Sequence, residues 1–271
     1  MSLATADAFD LAALNRAIAE TPFTGRVRHF PSIGSTNTLA MREAEEGQAG
    51  HTVYIADEQT AGRGRGAHAW HSAAGSGLYV SLLLRPQIAP ADILWLSLAM
   101  GLAVRAAVQE VTSTAPDIRW PNDLLLSGRK LGGILTELNA EVTRVRFAVV
   151  GIGINVHQPA FPKELATLAT SLRIETGRDW PRQNLLAALL RNVQRELDAL
   201  TSPGGVDAAA ADIRRRLERN SSWVLGKHVT VTEADTFSGV TDGLDSRGFL
   251  RVRTQQGVRT VLSGGVREGV R

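Results

Sequence analysis

The segment from Ile93 to Val104 constrains the fold of this chain more than any other. Its twelve residues carry no charge, and Ser97 is its one polar side chain. A helix crossing a bilayer needs about 20 such residues, so the run is too short to span a membrane. With Pro90 ahead of it and Arg105 behind, it predicts a helix over residues 92–111 that is buried on most sides. Strand-length apolar segments surround it, at residues 51–56, 78–84, 131–138 and 145–156. Helical spacing precedes them, where Phe9, Leu11, Leu14 and Ile18 fall close to one face and Pro22 ends the pattern. It resumes over residues 184–200 and 206–219. No repeat or low-complexity tract is visible.

Near Trp223 the texture changes. Short β-rich runs at residues 229–232, 237–244, 248–254 and 257–262 alternate with turn signals at Asp245-Ser246-Arg247-Gly248 and Gln255-Gln256-Gly257. Four or five strands in about fifty residues make a small barrel, so the chain divides near residue 222 into 1–222 and 223–271. A length of 271 residues suits two such unequal domains. The first residues carry no positive charge ahead of an apolar core, so no secretion signal is visible and a cytoplasmic location is expected.

Composition removes several chemistries. There is no cysteine, which excludes thiol nucleophiles, Fe–S clusters and Cys-type zinc sites. Only His68 and His71 are near neighbours among the six histidines, and no third ligand stands close, so no metal site is expected. No G-x-S-x-G elbow is present. The net charge is only +3, and 27 of the 30 basic residues are arginine. That is a weak footprint for nucleic acid, and the 5% aromatic content offers few stacking platforms.

Three stretches could carry chemistry. Gly62-Arg63-Gly64-Arg65-Gly66 combines glycines that let backbone approach a ligand with guanidinium groups beside it. Its spacing is neither a P-loop nor a dinucleotide fingerprint, and a solvated basic turn is the commoner reading of such residues alone. Arg119-Trp120-Pro121-Asn122-Asp123 reads as the end of a strand projecting an amide and a carboxylate. Arg129-Lys130-Leu131-Gly132-Gly133 follows it and keeps one of only three lysines, a compact point charge. Gly151-Ile152-Gly153-Ile154-Asn155 closes an apolar strand. Its alternate glycines mark close approach of another backbone or a ligand, or simple strand–helix packing.

Taken together and in order, these stretches resemble the catalytic domain of biotin protein ligases. The resemblance runs from Ser35-Thr36-Asn37 through Asp57-Glu58-Gln59, Ala61-Gly62-Arg63-Gly64-Arg65-Gly66, Trp70-His71-Ser72 and Gly77-Leu78-Tyr79-Val80-Ser81. It continues through Trp120-Pro121-Asn122-Asp123 and Arg129-Lys130-Leu131 to Gly151-Ile152-Gly153-Ile154-Asn155. It implies an α+β fold: a mixed β-sheet flanked by helices, like that of class II synthetases, plus a small C-terminal Src-homology-3-like β-barrel. The implied activity joins the carboxylate of biotin to the α-phosphate of ATP and then passes the biotinyl group to a lysine of a carrier protein.

The same resemblance assigns Ser35, Thr36, Asn37 and Gln59 to the biotin head group, where hydroxyls and amides match a neutral ureido ring. Arg63, Gly64 and Arg65 are expected along the carboxylate and phosphate, and Gly133 beside biotin. Lys130 bridges the two anions. Trp70 faces the adenine, Asn122 and Asp123 face the nucleotide or the incoming amine, and Asn155 lies on the ATP side. Arg63, Lys130 and Asp123 form the expected catalytic set. Mg²⁺ is expected with ATP, without a metal cage of protein side chains. The expected partner is a biotin carboxyl carrier protein domain of a biotin-dependent carboxylase, with no DNA and no membrane; a homodimer stays open.

The sequence departs from the family pattern in three places. Gly66-Ala67-His68-Ala69 replaces a further Gly-Arg, Arg119 stands where a lysine is common, and Gly265 stands where an acidic residue is frequent. Ser35-Thr36-Asn37 begins too early to leave room for the winged-helix DNA-binding domain of some relatives, so the monofunctional form is expected. The alternatives are a lipoate or octanoate protein ligase and, from another class, a nucleic-acid-binding module. Arg247, Arg251, Arg253 and Arg259 are read either as a docking face for an acidic carrier or as solvated strand edges.

Overall fold

The computed structural model of the chain describes residues 7–202 and 205–269. A short helix, α1 (Leu11–Ala17), is capped by Asp10, whose carboxylate accepts from the amides of Ala12 and Ala13. It ends at Ala17, before Pro22 is reached. Then follow β1 (Val27–Phe30), α2 (Thr36–Glu45), β2 (Thr52–Ala56) and β3 (Gly77–Leu84). The long helix α3 (Ile93–Thr112) leads to a hairpin-rich region of β4 (Asp117–Arg119), β5 (Asp123–Leu126), β6 (Arg129–Ala140) and β7 (Val145–Asn155). Helices α4 (Leu172–Thr176), α5 (Arg182–Thr201) and α6 (Gly205–Asn220) precede the C-terminal strands β8 (Leu225–Thr232), β9 (Thr236–Leu244), β10 (Leu250–Thr254), β11 (Gly257–Val261) and β12 (Gly265–Glu268).

The first seven strands form one mixed sheet in the order β1-β2-β3-β7-β6-β5-β4. Only β1 and β2 run parallel. One face is covered by α3, and α5 and α6 pack in turn against that helix. The other face carries α2 over an apolar cluster of Tyr54, Leu83, Phe147 and Val149. Helix α3 runs for 20 residues and is apolar enough in length and composition to cross a membrane, which the twelve-residue run alone was not. Twelve of its residues are buried, so the sheet and α5 give it the cover that the sequence demanded.

The C-terminal strands make a five-stranded antiparallel sheet, order β11-β10-β9-β8-β12, of the Src-homology-3-like type. Its core is continuous with that of the larger unit. Trp120 Nε1 donates to the carbonyl of Gly248 at 3.0 Å, and Arg119 stacks over Trp223. The four arginines read as a docking face or solvated edges are largely engaged within this unit: Arg259 forks onto Asp235, Arg251 and Arg253 meet Asp242, and Arg247 lies over Phe249.

Two local features differ from the sequence reading. Trp120-Pro121-Asn122 does not end a strand; it is the turn joining β4 to β5, with Asp123 already in the ladder. Proline has no amide hydrogen to continue a ladder, which suits it to that turn. The segment after Ser35 is helical. Ser35 is extended, and its hydroxyl accepts from the amide of Thr38, starting α2 at Thr36.

Candidate active site

The cleft lies on the α2 face of the sheet, beyond the end of the apolar cluster. Along β6 the residues Gly133, Leu135 and Glu137 share that face, paired across to Gly153, Gly151 and Val149 of β7. The two β7 glycines leave the floor open for other side chains. A methyl group on Gly153 would sit 2.5 Å from the Trp70 indole, and one on Gly151 would overlap the amide of Asn37. Gly151 therefore admits Asn37 of helix α2, which is the strand–helix packing read from the sequence, while Gly153 admits the Trp70 side chain.

Four elements converge here. The start of α2 supplies Ser35, Thr36 and Asn37. The segment after β2 supplies Gln59 and then Arg63, Gly64, Arg65 and Trp70; the turn before β5 supplies Asn122; β6 supplies Lys130 and Gly133. All of these line one cleft of about 460 Å³, part of it open to solvent. The Gly-Arg segment is a narrow hairpin rather than a free turn: Gly64 N donates to His68 O at 2.7 Å and Trp70 N to Gly62 O at 2.9 Å. Arg65 reaches the C-terminal unit, donating to Gly264 O at 3.2 Å. The His68 side chain is exposed.

One end of the cleft is neutral and polar. Gln59 Oε1 accepts from the amide of Thr36 at 2.9 Å and lies 3.0 Å from its hydroxyl, while its Nε2 donates to Ser72 Oγ at 3.0 Å. Ser81 Oγ lies 2.7 Å from Thr36 Oγ1 and 2.5 Å from Asn37 Oδ1. Asn37 Nδ2 donates to Glu137 at 2.9 Å. Glu137 also receives the guanidinium of Arg63 at 2.9 Å. Buried Arg182 clamps Asp57 at 2.9 Å and Asp7 at 2.5 Å, and His29 also meets Asp57, so the Asp57-Glu58-Gln59 stretch is pinned at its first residue.

The other end is cationic. Lys130 Nζ lies 5.4 Å from the Trp70 ring centroid and 2.6 Å from Asp123 Oδ1; Arg119 holds the other carboxylate oxygen at 2.6 Å. A bulge where β6 pairs with β5 falls beside Lys130. Bulges re-aim side chains at such places. The Lys130 backbone is fixed by Leu168 O and by the amide of Thr170, at 2.8 and 2.9 Å. Burial works to raise the Asp123 carboxyl, but Lys130 and Arg119 outweigh it and hold the group below the ordinary carboxylate range. Asn122 donates to Ile134 O at 2.9 Å. Asn155 stands apart from the cleft, with its amide on Thr170 O at 3.0 Å and more distantly on Lys130 O.

The depressed Asp123 group yields a pH prediction. Its stabilising contribution is complete above the unfolded carboxyl value of about 3.9 and is lost as pH falls through the lower folded value. The stability difference between wild type and Asp123→Asn should thus stay flat from pH 8 to about 5 and shrink on further acidification. Denaturant unfolding across that range checks it; a difference unchanged at pH 3 would contradict the assignment.

Ser72, Ser81 and Gly151 were read from the sequence only as members of motifs, with no site role, and Glu137 was not singled out at all. Glu137 carried one usable signal, a carboxylate in an otherwise apolar strand, in step with Gly133.

The chain is similar to several known proteins. Residues 29–155 match the model of the biotin/lipoate A/B protein ligase family, and residues 224–266 match the biotin protein ligase C-terminal domain. The bifunctional ligase/repressor BirA of Bacillus spizizenii is 35% identical over 240 residues, covering 88% of this chain and 72% of that protein. The biotin–[acetyl-CoA-carboxylase] ligase of Mycobacterium tuberculosis is 35% identical over 238 residues, covering 84% and 83%. Among solved structures, the biotin protein ligase of Aquifex aeolicus in complex with biotin and ATP superposes with a TM-score of 0.77 at 30% identity, over 90% of this chain and 99% of that one. Catalytic sheet, C-terminal sheet and overall sequence all point to one lineage, and this chain belongs to the biotin protein ligase family.

Proposed function

We propose that the chain activates biotin with ATP and transfers the biotinyl group to a lysine of the biotin carboxyl carrier protein of acetyl-CoA carboxylase. The observation that carries this reading is the polarity of the cleft: a neutral donor–acceptor end built on Thr36, Asn37 and Gln59, and a cationic end built on Lys130. A ureido ring suits the first, and a carboxylate approaching a phosphate needs the second. The apolar dithiolane of lipoate gains nothing from a row of amides and hydroxyls.

In the first step a biotin carboxylate oxygen attacks the α-phosphorus, and the bond to pyrophosphate breaks. Lys130 bridges the two anions and offsets their repulsion. In the second step the neutral lysine amine attacks the acyl carbon, AMP leaves, and the amine gives up a proton. Asp123, already bound by two cations and held below the ordinary carboxylate range, is a poor base for that proton; its role is to aim Lys130. Trp70 offers its face to adenine, while Asn122 and Asn155 brace β6 and Lys130 on the nucleotide side. Mg²⁺ enters as part of the MgATP substrate; among the described residues no three His, Asp or Glu side chains gather to hold a metal. Residues 1–222 serve as the catalytic domain and 223–271 as the smaller one, in a cytoplasmic enzyme that meets ATP and its carrier there.

ATP–pyrophosphate exchange with biotin, lipoate and octanoate as separate acids tests the reading, followed by transfer to a carrier domain. Exchange with biotin alone is expected; exchange with lipoate and none with biotin would overturn it. Arg63→Ala should speed release of the adenylate roughly 10- to 150-fold, the worth of one charge-assisted hydrogen bond of about 1.5–3 kcal/mol. Free biotin should bind with much less change. Labelling of bystander lysines by escaped adenylate is the readout. Strict carrier specificity with unchanged release would count against Arg63 as a retaining group.

A further inference from the structure

The polar side chains of the cleft form one unbroken chain of hydrogen bonds. It starts at Ser72, passes through Gln59, Thr36, Ser81 and Asn37, and ends at Glu137 and Arg63. Arg63 lies on the Gly-Arg hairpin and Ser72 just after it, so both ends of the chain reach the same segment. Most of its members can both donate and accept. Glu137, when ionised, only accepts, and Arg63 only donates.

That asymmetry gives the chain a direction. Asn37 must present Nδ2 to Glu137, which leaves Oδ1 toward Ser81. Ser81 has one hydroxyl proton; given to Asn37 Oδ1, it leaves the Ser81 oxygen to accept from the Thr36 hydroxyl, while the Thr36 amide keeps the link to Gln59 Oε1. Leu135 O also lies 3.4 Å from Asn37 Nδ2, so an apolar group in place of Glu137 would leave only that long contact to tell the two ends of the Asn37 amide apart. The second consequence is mechanical. Arg63 Nη2 and Nη1 fork onto the two Glu137 oxygens at 2.9 and 3.3 Å, tying the hairpin's side chain to β6 across 74 residues. The Glu137 side chain is only 22% exposed, against 49% for Arg63, so the tether's fixed end is the strand.

We propose that Glu137 is a positioning residue that sets the amide orientation of Asn37 and tethers the Gly-Arg hairpin through Arg63. The first half deepens the biotin reading and rests on it; the tether does not. The experiment compares wild type, Glu137→Ala and Glu137→Gln. Glutamine can still accept from Asn37 through its Oε1 but turns an amide NH₂ toward Arg63, so it separates the two roles.

In pyrophosphate exchange, Glu137→Ala should raise the KM for biotin roughly 5- to 150-fold, the range for one lost buried hydrogen-bond partner, with kcat and the KM for ATP little changed. Glu137→Gln should restore most of the biotin KM. Without ligands, both variants should be cut by trypsin after Arg63 and Arg65 several-fold faster than wild type, read by mass spectrometry of the fragments. Unchanged biotin KM and unchanged cleavage in Glu137→Ala would overturn the proposal. So would a parallel rise of both KM values with a lowered Tm in both variants, which is the signature of a merely structural residue. If wild type shows no biotin-dependent exchange, the functional reading fails by itself. The cleavage comparison then still decides the tether: faster cutting in both variants supports it, and unchanged cutting overturns it.

Discussion

Lys130→Ala is expected to abolish detectable adenylate formation while leaving the unfolding transition close to that of wild type. The ammonium sits at the cationic end of the cleft, 2.6 Å from Asp123, where two anions must be brought together. Removing one preorganised donor of this kind costs about 2.7–4 kcal/mol of transition-state stabilisation, or ~10²–10³ in kcat. The fold should survive, because Asp123 retains Arg119 as a partner and the Lys130 backbone is held by residues 168 and 170 through main-chain bonds. Supplying preformed biotinyl-adenylate should bypass much of the defect, since transfer no longer requires the carboxylate and phosphate to meet. Near-normal exchange at saturating biotin and ATP would remove Lys130 from the reacting centre.

Gly153→Ala should be nearly as damaging by a different route. The added methyl would lie 2.5 Å from the Trp70 ring, closer than carbon atoms can approach. Trp70 must then leave its place over β7 and take the hairpin from Gly62 to Trp70 with it, because Trp70 N is bonded to Gly62 O. Overpacking of this sort costs about 1–3 kcal/mol, which is roughly a 5- to 150-fold loss in ligand affinity if it falls on the bound form. Tryptophan emission should shift, and calorimetric titration with biotin and ATP should show weakened binding of both. A variant with wild-type affinities would mean that Trp70 has room to move without consequence.

Several elements were legible in the sequence because their cause is local. The buried helix at residues 93–112 followed from an uncharged run too long for a strand. The four strand segments of the main sheet followed from their apolar runs, and the change of texture near Trp223 matched the onset of the C-terminal sheet. The short strands β1 and β5 were missed and β4 was read only as a strand end placed a few residues too late, since three or four residues carry too little pattern to register. Helix α2 was missed as well. Its apolar face is weak, and its start depends on a serine cap whose residues had been read only for chemistry.

The motif residues themselves were visible one fragment at a time, and their order along the chain was enough to suggest a family. What the order could not show was how they hold one another. Asn37 and Glu137 are 100 residues apart, Arg63 and Glu137 are 74 apart, and Ser81 and Asn37 are 44 apart. No periodicity links positions at such separations. Their pairing depends on strand register, which sets Gly133, Leu135 and Glu137 on one face opposite the β7 glycines. The sequence by itself determined which chemical groups are present and which segments must be buried. The tertiary structure alone decided which carboxylate meets which cation, because a hydrogen bond is directional over about 3 Å and only the folded sheet brings these groups that close.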